Sequence, residues 1–273
     1  MKEMDIEKSA YIHESIRYVE VIEHRKGIPA FREDIALVRA LAILAVLSFH
    51  FWPTIFPSGY LGVDIFFVIS GYLMIVVLER SAKMAPLQMF IDFYYKRPFG
   101  HKDISSTLLA LNLKMVSIDG DYFEQINEET PFLHFWSLSV EMQFYLIAPI
   151  IFLCSKMRIN DYHVGPLILI VILLASLKFR LESTPITAFY NPFTRLWQFL
   201  LGMLSSIFAL KQEATEQNQK IEALAAIFFW PIFLVFLPFN SMNEKWMQIF
   251  VTVTAGLFMA IAPARWEFID SQD

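Results

Sequence analysis

Four groups of residues able to carry charge or move protons stand inside or beside long apolar runs of this chain. The first is Asp34-Ile-Ala-Leu-Val-Arg39, which continues through eight small or aliphatic residues, Ser48 and Phe49 to His50. Arg39 and His50 are eleven positions apart, almost three turns at ~3.6 residues per turn, so a helix sets both on one face about 16 Å apart along its axis. Ionisable side chains are costly in hydrocarbon and seldom face it. The shared face therefore predicts a common interior partner. The plainer alternative is that Arg39 snorkels to one membrane surface while His50 anchors the other.

The second group is Gly59-Tyr-Leu-Gly62-Val-Asp64-Ile-Phe66-Phe67-Val-Ile-Ser70-Gly71-Tyr72. Asp64 is an acid within an apolar run, placed to pair with His50 or Arg39. Ser70-Gly71 presents a small surface on which another helix can approach closely. The third group runs from Pro131 to Tyr145. In a helix His134, Ser137, Glu141 and Tyr145 recur at steps of three and four and share a face. A histidine and a glutamate on one face can form an acid–base or hydrogen-bonded network. An interfacial aromatic belt accounts equally well for Trp136 and Tyr145, but not for Glu141 beside Ile- and Leu-rich sequence. The fourth group is Tyr190-Asn-Pro-Phe-Thr-Arg195-Leu-Trp197-Gln198, leading to Gly202, where Arg195 opens an apolar run and snorkelling is again the alternative.

The elements that must position these groups are membrane helices. The chain is 56% hydrophobic and 18% charged, with a mean hydropathy of +0.47, where a soluble domain carries about 25% charged residues. Apolar stretches near the ~20 residues needed to cross a bilayer fall at 35–52, 60–78, 132–153, 164–179, 193–210, 221–240 and 246–264. A weaker one at 104–118 contains Lys114. Lipid offers no partner to open backbone groups, and the runs are too long and continuous for barrel strands. The expected fold is all-α, a multi-spanning transmembrane bundle of seven to eight spans. It follows a polar cytoplasmic leader at 1–34, occupies 35–264 as one domain without internal repeats, and ends in a short tail at 265–273.

Basic residues orient the bundle. The leader and the loop 79–103 (Arg80, Lys83, Lys96, Arg97, Lys102) are rich in them, and the loops 53–59 and 119–131 contain none. The positive-inside rule sets the N-terminus and 79–103 in the cytoplasm. Eight spans then leave both termini inside, in either the plasma membrane or the endoplasmic reticulum. Cys154 is the single cysteine, so an intramolecular disulfide is excluded and no Cys/His spacing suggests a metal. No basic patch suggests a nucleic-acid partner.

Taken together, the motifs resemble the acyltransferase-3 family of membrane-bound O-acyltransferases, which includes O-antigen, peptidoglycan and nodulation-factor acetylases and nematode multi-spanning homologues. The matching pieces stand in the family's order: Arg39 followed after ten residues by His50, Gly62-Val-Asp-Ile-Phe-Phe-Val-Ile-Ser-Gly-Tyr-Leu73, His134-Phe-Trp-Ser-Leu-Ser-Val-Glu-Met-Gln-Phe-Tyr145, and Arg195-Leu-Trp-Gln-Phe-Leu-Leu-Gly202. The resemblance covers about residues 32–210. It implies an acyl-CoA donor bound from the cytoplasm, no metal, and transfer of an acyl group, acetyl above all, to a hydroxyl of a carbohydrate, lipid or other small acceptor on or across the membrane. On this reading Arg39, with Arg97 and Ser70, serves the donor. His50 is the general base, and Asp64 or Glu141 orients or charge-balances it. His134, Trp136, Ser137, Tyr145 and Arg195 support the substrate or the structure.

The chain departs from the family pattern in two places. The family's second arginine and full apolar span do not follow Arg97, and Gln198 stands where the family has Glu. Two other readings accompany the enzyme. One is a truncated or non-catalytic homologue that acts by binding. The other is a transporter, which intramembrane Arg, His, Asp and Glu would also suit, although no paired repeat of broken helices accompanies them.

Overall fold

A computed structural model describes residues 33–81, 88–89, 93, 135–159, 162–212, 227–237 and 243–261. The expected span 104–118, the loop 119–131, Arg97, His134 and most of the leader and tail lie outside the described residues.

Seven helices carry the described fold: α1 (Glu33–Phe51), α2 (Gly62–Ser81), α3 (Trp136–Ser155), α4 (Gly165–Glu182), α5 (Pro185–Tyr190), α6 (Pro192–Gln212) and α7 (Glu244–Ile261). Three of them, α1, α2 and α3, are long and apolar enough to cross a membrane. Helices α4, α6 and α7 have comparable lengths of 18, 21 and 18 residues. They are more polar at their ends, α4 through Lys178, Arg180 and Glu182, α6 through Arg195 and Lys211, and α7 through Glu244 and Lys245.

Two features differ from the all-α expectation. The loop between α3 and α4 closes as a hairpin of two short antiparallel strands, β1 (Arg158–Ile159) and β2 (Tyr162–His163), with Arg158 opposite His163. In the apolar run 221–240, residues Trp230–Phe236 form a 3₁₀ helix. Pro231 lacks the amide hydrogen that a continuous α-helix needs there.

Packing is organised around α2, which contributes to both buried cores. One core joins Phe67, Met74 and Leu78 of α2 to α3, α5 and α6. The other joins Leu61, Ile65 and Ile69 to Ile35, Val38, Ala42 and Ala45 of α1 and to Met247, Val251 and Met259 of α7. Lipid tails are as apolar as leucine, so close van der Waals fit rather than transfer from water holds helices together in a bilayer. Glycines supply that fit. A Cβ at Gly71 of α2 would run into the carbonyl of Phe199 on α6, and one at Gly202 of α6 into the carbonyl of Val68 on α2. Each glycine lets the other helix's backbone through, so Ser70-Gly71 does mark a close helix crossing. Gly59 and Gly62 bring the start of α2 against the carbonyls of Ala45 and Ala42 in the same way.

Candidate functional site

Helix α1 turns its small and aliphatic positions, Ile35, Val38, Ala42, Ala45 and Phe49, into the core. Arg39 and His50 do share a face, but it is the exposed one, with Ile43 (43% exposed) and Leu47 (45%) between them. That face is not the one that packs into the described core. Among the described residues Arg39 has no hydrogen-bond or ion-pair partner. His50 Nδ1 lies 2.7 Å from the carbonyl of Val46, one turn back on its own helix. A carbonyl only accepts, so Nδ1 carries the proton and Nε2 is the basic nitrogen of the neutral ring. A backbone carbonyl thus takes part in orienting the imidazole.

Asp64 pairs with α6 and α7 instead of α1. Its Oδ1 accepts from Arg195 Nη1 at 2.6 Å, Gln198 Nε2 at 2.6 Å and Gln248 Nε2 at 2.8 Å. Both members of the ion pair are 2% exposed at the side chain. Arg195 does not snorkel. Its Nε donates to the carbonyl of Phe189 at 2.9 Å, and its guanidinium lies over the rings of Phe189 and Trp136 at 5.0 and 5.6 Å. The short helix α5 makes this possible. Thr184 caps it by accepting from the Thr187 amide, and the Thr194 hydroxyl then ties the start of α6 to the carbonyls of Ala188 and Asn191 at 3.1 and 2.7 Å. The chain turns back so that Phe189 faces Arg195. Gln198, where the family pattern has a glutamate, donates to Asp64 and leaves its own buried Oε1 without a partner.

A second polar centre joins α2 and α3. Glu141 Oε1 accepts from both the Ser70 hydroxyl and the Tyr145 hydroxyl. Glu141 and Tyr145 sit one turn apart on α3, as the periodicity of the third motif predicts. Ser137 is half-buried on the same helix. Phe67 lies midway between Asp64 and Ser70 along α2 and stacks on Phe199 at 4.7 Å, which stacks on Phe144 at 4.2 Å. An aromatic layer thus separates the two centres. Trp136 belongs to the Arg195 centre, edge-on to Phe67 at 6.3 Å.

Two members of these networks escape a reading of the sequence. Arg180, at the end of α4, donates from Nε and Nη2 to Gln248 Oε1 at 3.2 and 2.7 Å. The sequence signal for Gln248 is an amide within an apolar run, which hydrocarbon penalises unless it is hydrogen-bonded. Arg180 falls just past the run 164–179 and reads as a solvated end.

The acyltransferase-3 family model, described as an acyltransferase domain, matches residues 85–266. Helices α1 and α2, with Arg39, His50, Asp64 and Ser70, precede that match. The chain is 25% identical over 282 residues to the "Putative peptidoglycan O-acetyltransferase YrhL" of Bacillus subtilis (strain 168), an alignment covering 87% of this chain and 44% of that protein. It is 29% identical over 266 residues to the "Putative membrane-bound transacylase BcsY" of Komagataeibacter xylinus, covering 86% and 66%. It is 24% identical over 248 residues to a "Putative O-acetyltransferase" of Staphylococcus aureus (strain COL), covering 77% and 41%. The chain thus spans about two fifths of the length of the Staphylococcus and Bacillus relatives. No solved structure matches at a significant level.

Proposed function

This chain belongs to the acyltransferase-3 family, and on that footing we propose that it is an integral membrane O-acyltransferase moving an acyl group, acetyl above all, from acyl-CoA to a hydroxyl of a carbohydrate, lipid or other small acceptor. The observation that carries the reading is the state of His50. Its Nδ1 donates to the Val46 carbonyl, which makes Nε2 the basic nitrogen of the neutral ring. Nε2 takes the hydroxyl proton as the acceptor oxygen attacks the thioester carbonyl. The new C–O bond forms, the C–S bond breaks, and the proton passes to the departing thiolate to give CoA and the ester.

The donor enters from the Arg39 end of α1. Arg39 is exposed and suited to a CoA phosphate through charge-assisted hydrogen bonds, with Arg97 as a second candidate. The Ser70–Glu141–Tyr145 centre lies on the same side, because α2 runs antiparallel to α1 and carries Ser70 about 9 Å below Asp64. The orientation follows from the basic leader and the base-free loop 53–59. It sets the N-terminus and Arg39 in the cytoplasm and His50 at the opposite surface. The polar-ended helices α4, α6 and α7, whose outer faces expose Leu167, Val171 and Leu174, Phe208, and Phe250 and Leu257 respectively, complete a multi-pass bundle of seven to eight spans.

The test is CoA release from acetyl-CoA by the purified chain in lipid nanodiscs, beside His50→Ala. Release by the chain and its loss in the variant are expected. Equal release by both would remove His50 from the chemistry, and no release by either would overturn the enzyme reading.

A further inference from the structure

In the β1–β2 hairpin Arg158 stands opposite His163, and Ile159 opposite Tyr162. Residues directly opposite in an antiparallel pair share a face, and neighbours along a strand alternate between faces. One face therefore carries Ile159 and Tyr162, and the other carries Arg158 and His163. The apolar face is open. Ile159 and Tyr162 are 55% and 77% exposed, and Met157, just before β1, is 46% exposed. A two-stranded hairpin is marginal in water on its own, and each of these strands has two residues. Its base is nevertheless fixed. The Gly165 amide donates to the Met157 carbonyl at 3.2 Å. A Cβ at Gly165 would run into the Ser155 carbonyl, and Lys156 pairs with Glu79 at the end of α2.

The place of the hairpin in the bundle indicates what covers that face. Trp136 meets Phe67, Glu141 meets Ser70 and Lys156 meets Glu79, so α3 runs parallel to α2 and ends on the Arg39 side. Helix α3 is long and apolar enough to cross a membrane, and the hairpin follows it directly, at the membrane surface. The apolar outer faces of the flanking helices, Ile147 and Ile150 on α3 and Leu167 and Ile170 on α4, run up to it from both sides. The headgroup layer is roughly 5–7 Å deep on each side of the hydrocarbon. A single layer of β structure, about 10 Å thick with its side chains, fills that depth with one face toward the acyl chains and the other among the phosphates. Tyrosine is favoured at this level, and a guanidinium takes phosphate oxygens in paired hydrogen bonds. The segment 156–163 holds Lys156, Arg158 and His163 against one acid, Asp161, which suits the anionic cytoplasmic leaflet.

Independently of acyl transfer, and resting on the orientation above for the choice of leaflet, we propose that the hairpin is a lipid-surface anchor. Ile159 and Tyr162 seat in the headgroup layer of the cytoplasmic leaflet, which water still reaches, and Arg158 with His163 binds the phosphates of anionic phospholipid. The experiment places an environment-sensitive fluorophore at Ile159→Cys or Arg158→Cys of the full chain, in a Cys154→Ser background. The chain is held in nanodiscs containing phosphatidylcholine spin-labelled near its headgroup. The label at 159 should be quenched more than the label at 158. No quenching at 159, or equal quenching at both, would overturn the proposal. Disulfide cross-linking of position 159 between two copies in membranes would assign the face to a second chain and overturn it too. Native mass spectrometry then follows binding of phosphatidylglycerol. Arg158→Gln should weaken it about fivefold, the scale of one basic residue at an anionic surface, and inorganic phosphate should not displace the lipid. Unchanged binding in the variant, or displacement by phosphate, would contradict the assignment to lipid.

Discussion

Asp64 and Arg195, on helices α2 and α6, form an ion pair of 2.6 Å between Oδ1 and Nη1 with almost no exposure of either side chain. Removing one partner of such a pair strands a buried charge, which costs about 3–5 kcal/mol, whereas replacing both with apolar residues is far milder. Asp64→Asn and Arg195→Met should each lower unfolding stability on that scale in mixed-micelle denaturation. The double variant Asp64→Leu/Arg195→Met should lose much less than the sum of its single changes. Additive losses would show that the pair does not hold α2 to α6.

The close crossing of the same two helices rests on Gly71 and Gly202. An alanine at either position places its Cβ against a backbone carbonyl that has no rotamer to change, so overpacking of about 1–3 kcal/mol is expected. Gly256 faces the flexible Leu201 side chain, whose nearest atoms would lie 2.8 and 2.9 Å from an added Cβ. Gly256→Ala should therefore be the mildest of the three in thermal melting. An order with Gly256 worst would contradict the packing described.

These two contacts show how far the sequence could be read. Helix positions and the shared face of Arg39 and His50 followed from hydropathy and the helical period, because both are local. Which face of α1 turns inward did not follow from the charged residues. The signal was the small residues Ala42 and Ala45, which match Gly62 and Gly59 across the turn. The partner of Asp64 was sought nearby, in His50 or Arg39, but its three donors come from 131 to 184 positions away. Pairing at that separation is fixed by topology, which a hydropathy pattern does not carry. Glu141 and Tyr145 could be matched because they are one turn apart, while Ser70 joins them only once α2 and α3 are packed. Arg97 and His134 lie outside the described residues.

The Ser70–Glu141–Tyr145 centre, which the proposed reaction puts on the donor side, should govern affinity for acyl-CoA. Glu141→Gln keeps the shape and removes the charge that receives both hydroxyls. Steady-state kinetics should show KM for acetyl-CoA raised about tenfold or more, in line with the loss of hydrogen bonds to a charged group, while KM for the acceptor barely moves. A rise confined to the acceptor KM would move the centre to the other substrate.

The orientation is open to chemical labelling. In a Cys154→Ser background, Thr54→Cys and Ile159→Cys place single thiols in exposed positions at the two ends of the bundle. A membrane-impermeant maleimide applied to sealed cells should label position 54 and leave 159 unlabelled until the membrane is permeabilised. The reverse pattern would invert the bundle and put His50 on the cytoplasmic side.

The most direct test of acyl transfer is to follow the label. The purified chain in nanodiscs receives acetyl-CoA labelled in the acetyl group together with cellotetraose, and the sugar is analysed by mass spectrometry and mild base treatment. The account predicts a base-labile O-acetyl ester on the sugar, formed by the intact chain and missing with His50→Ala. Label that remains on CoA, or appears only as free acetate with both proteins, would contradict it.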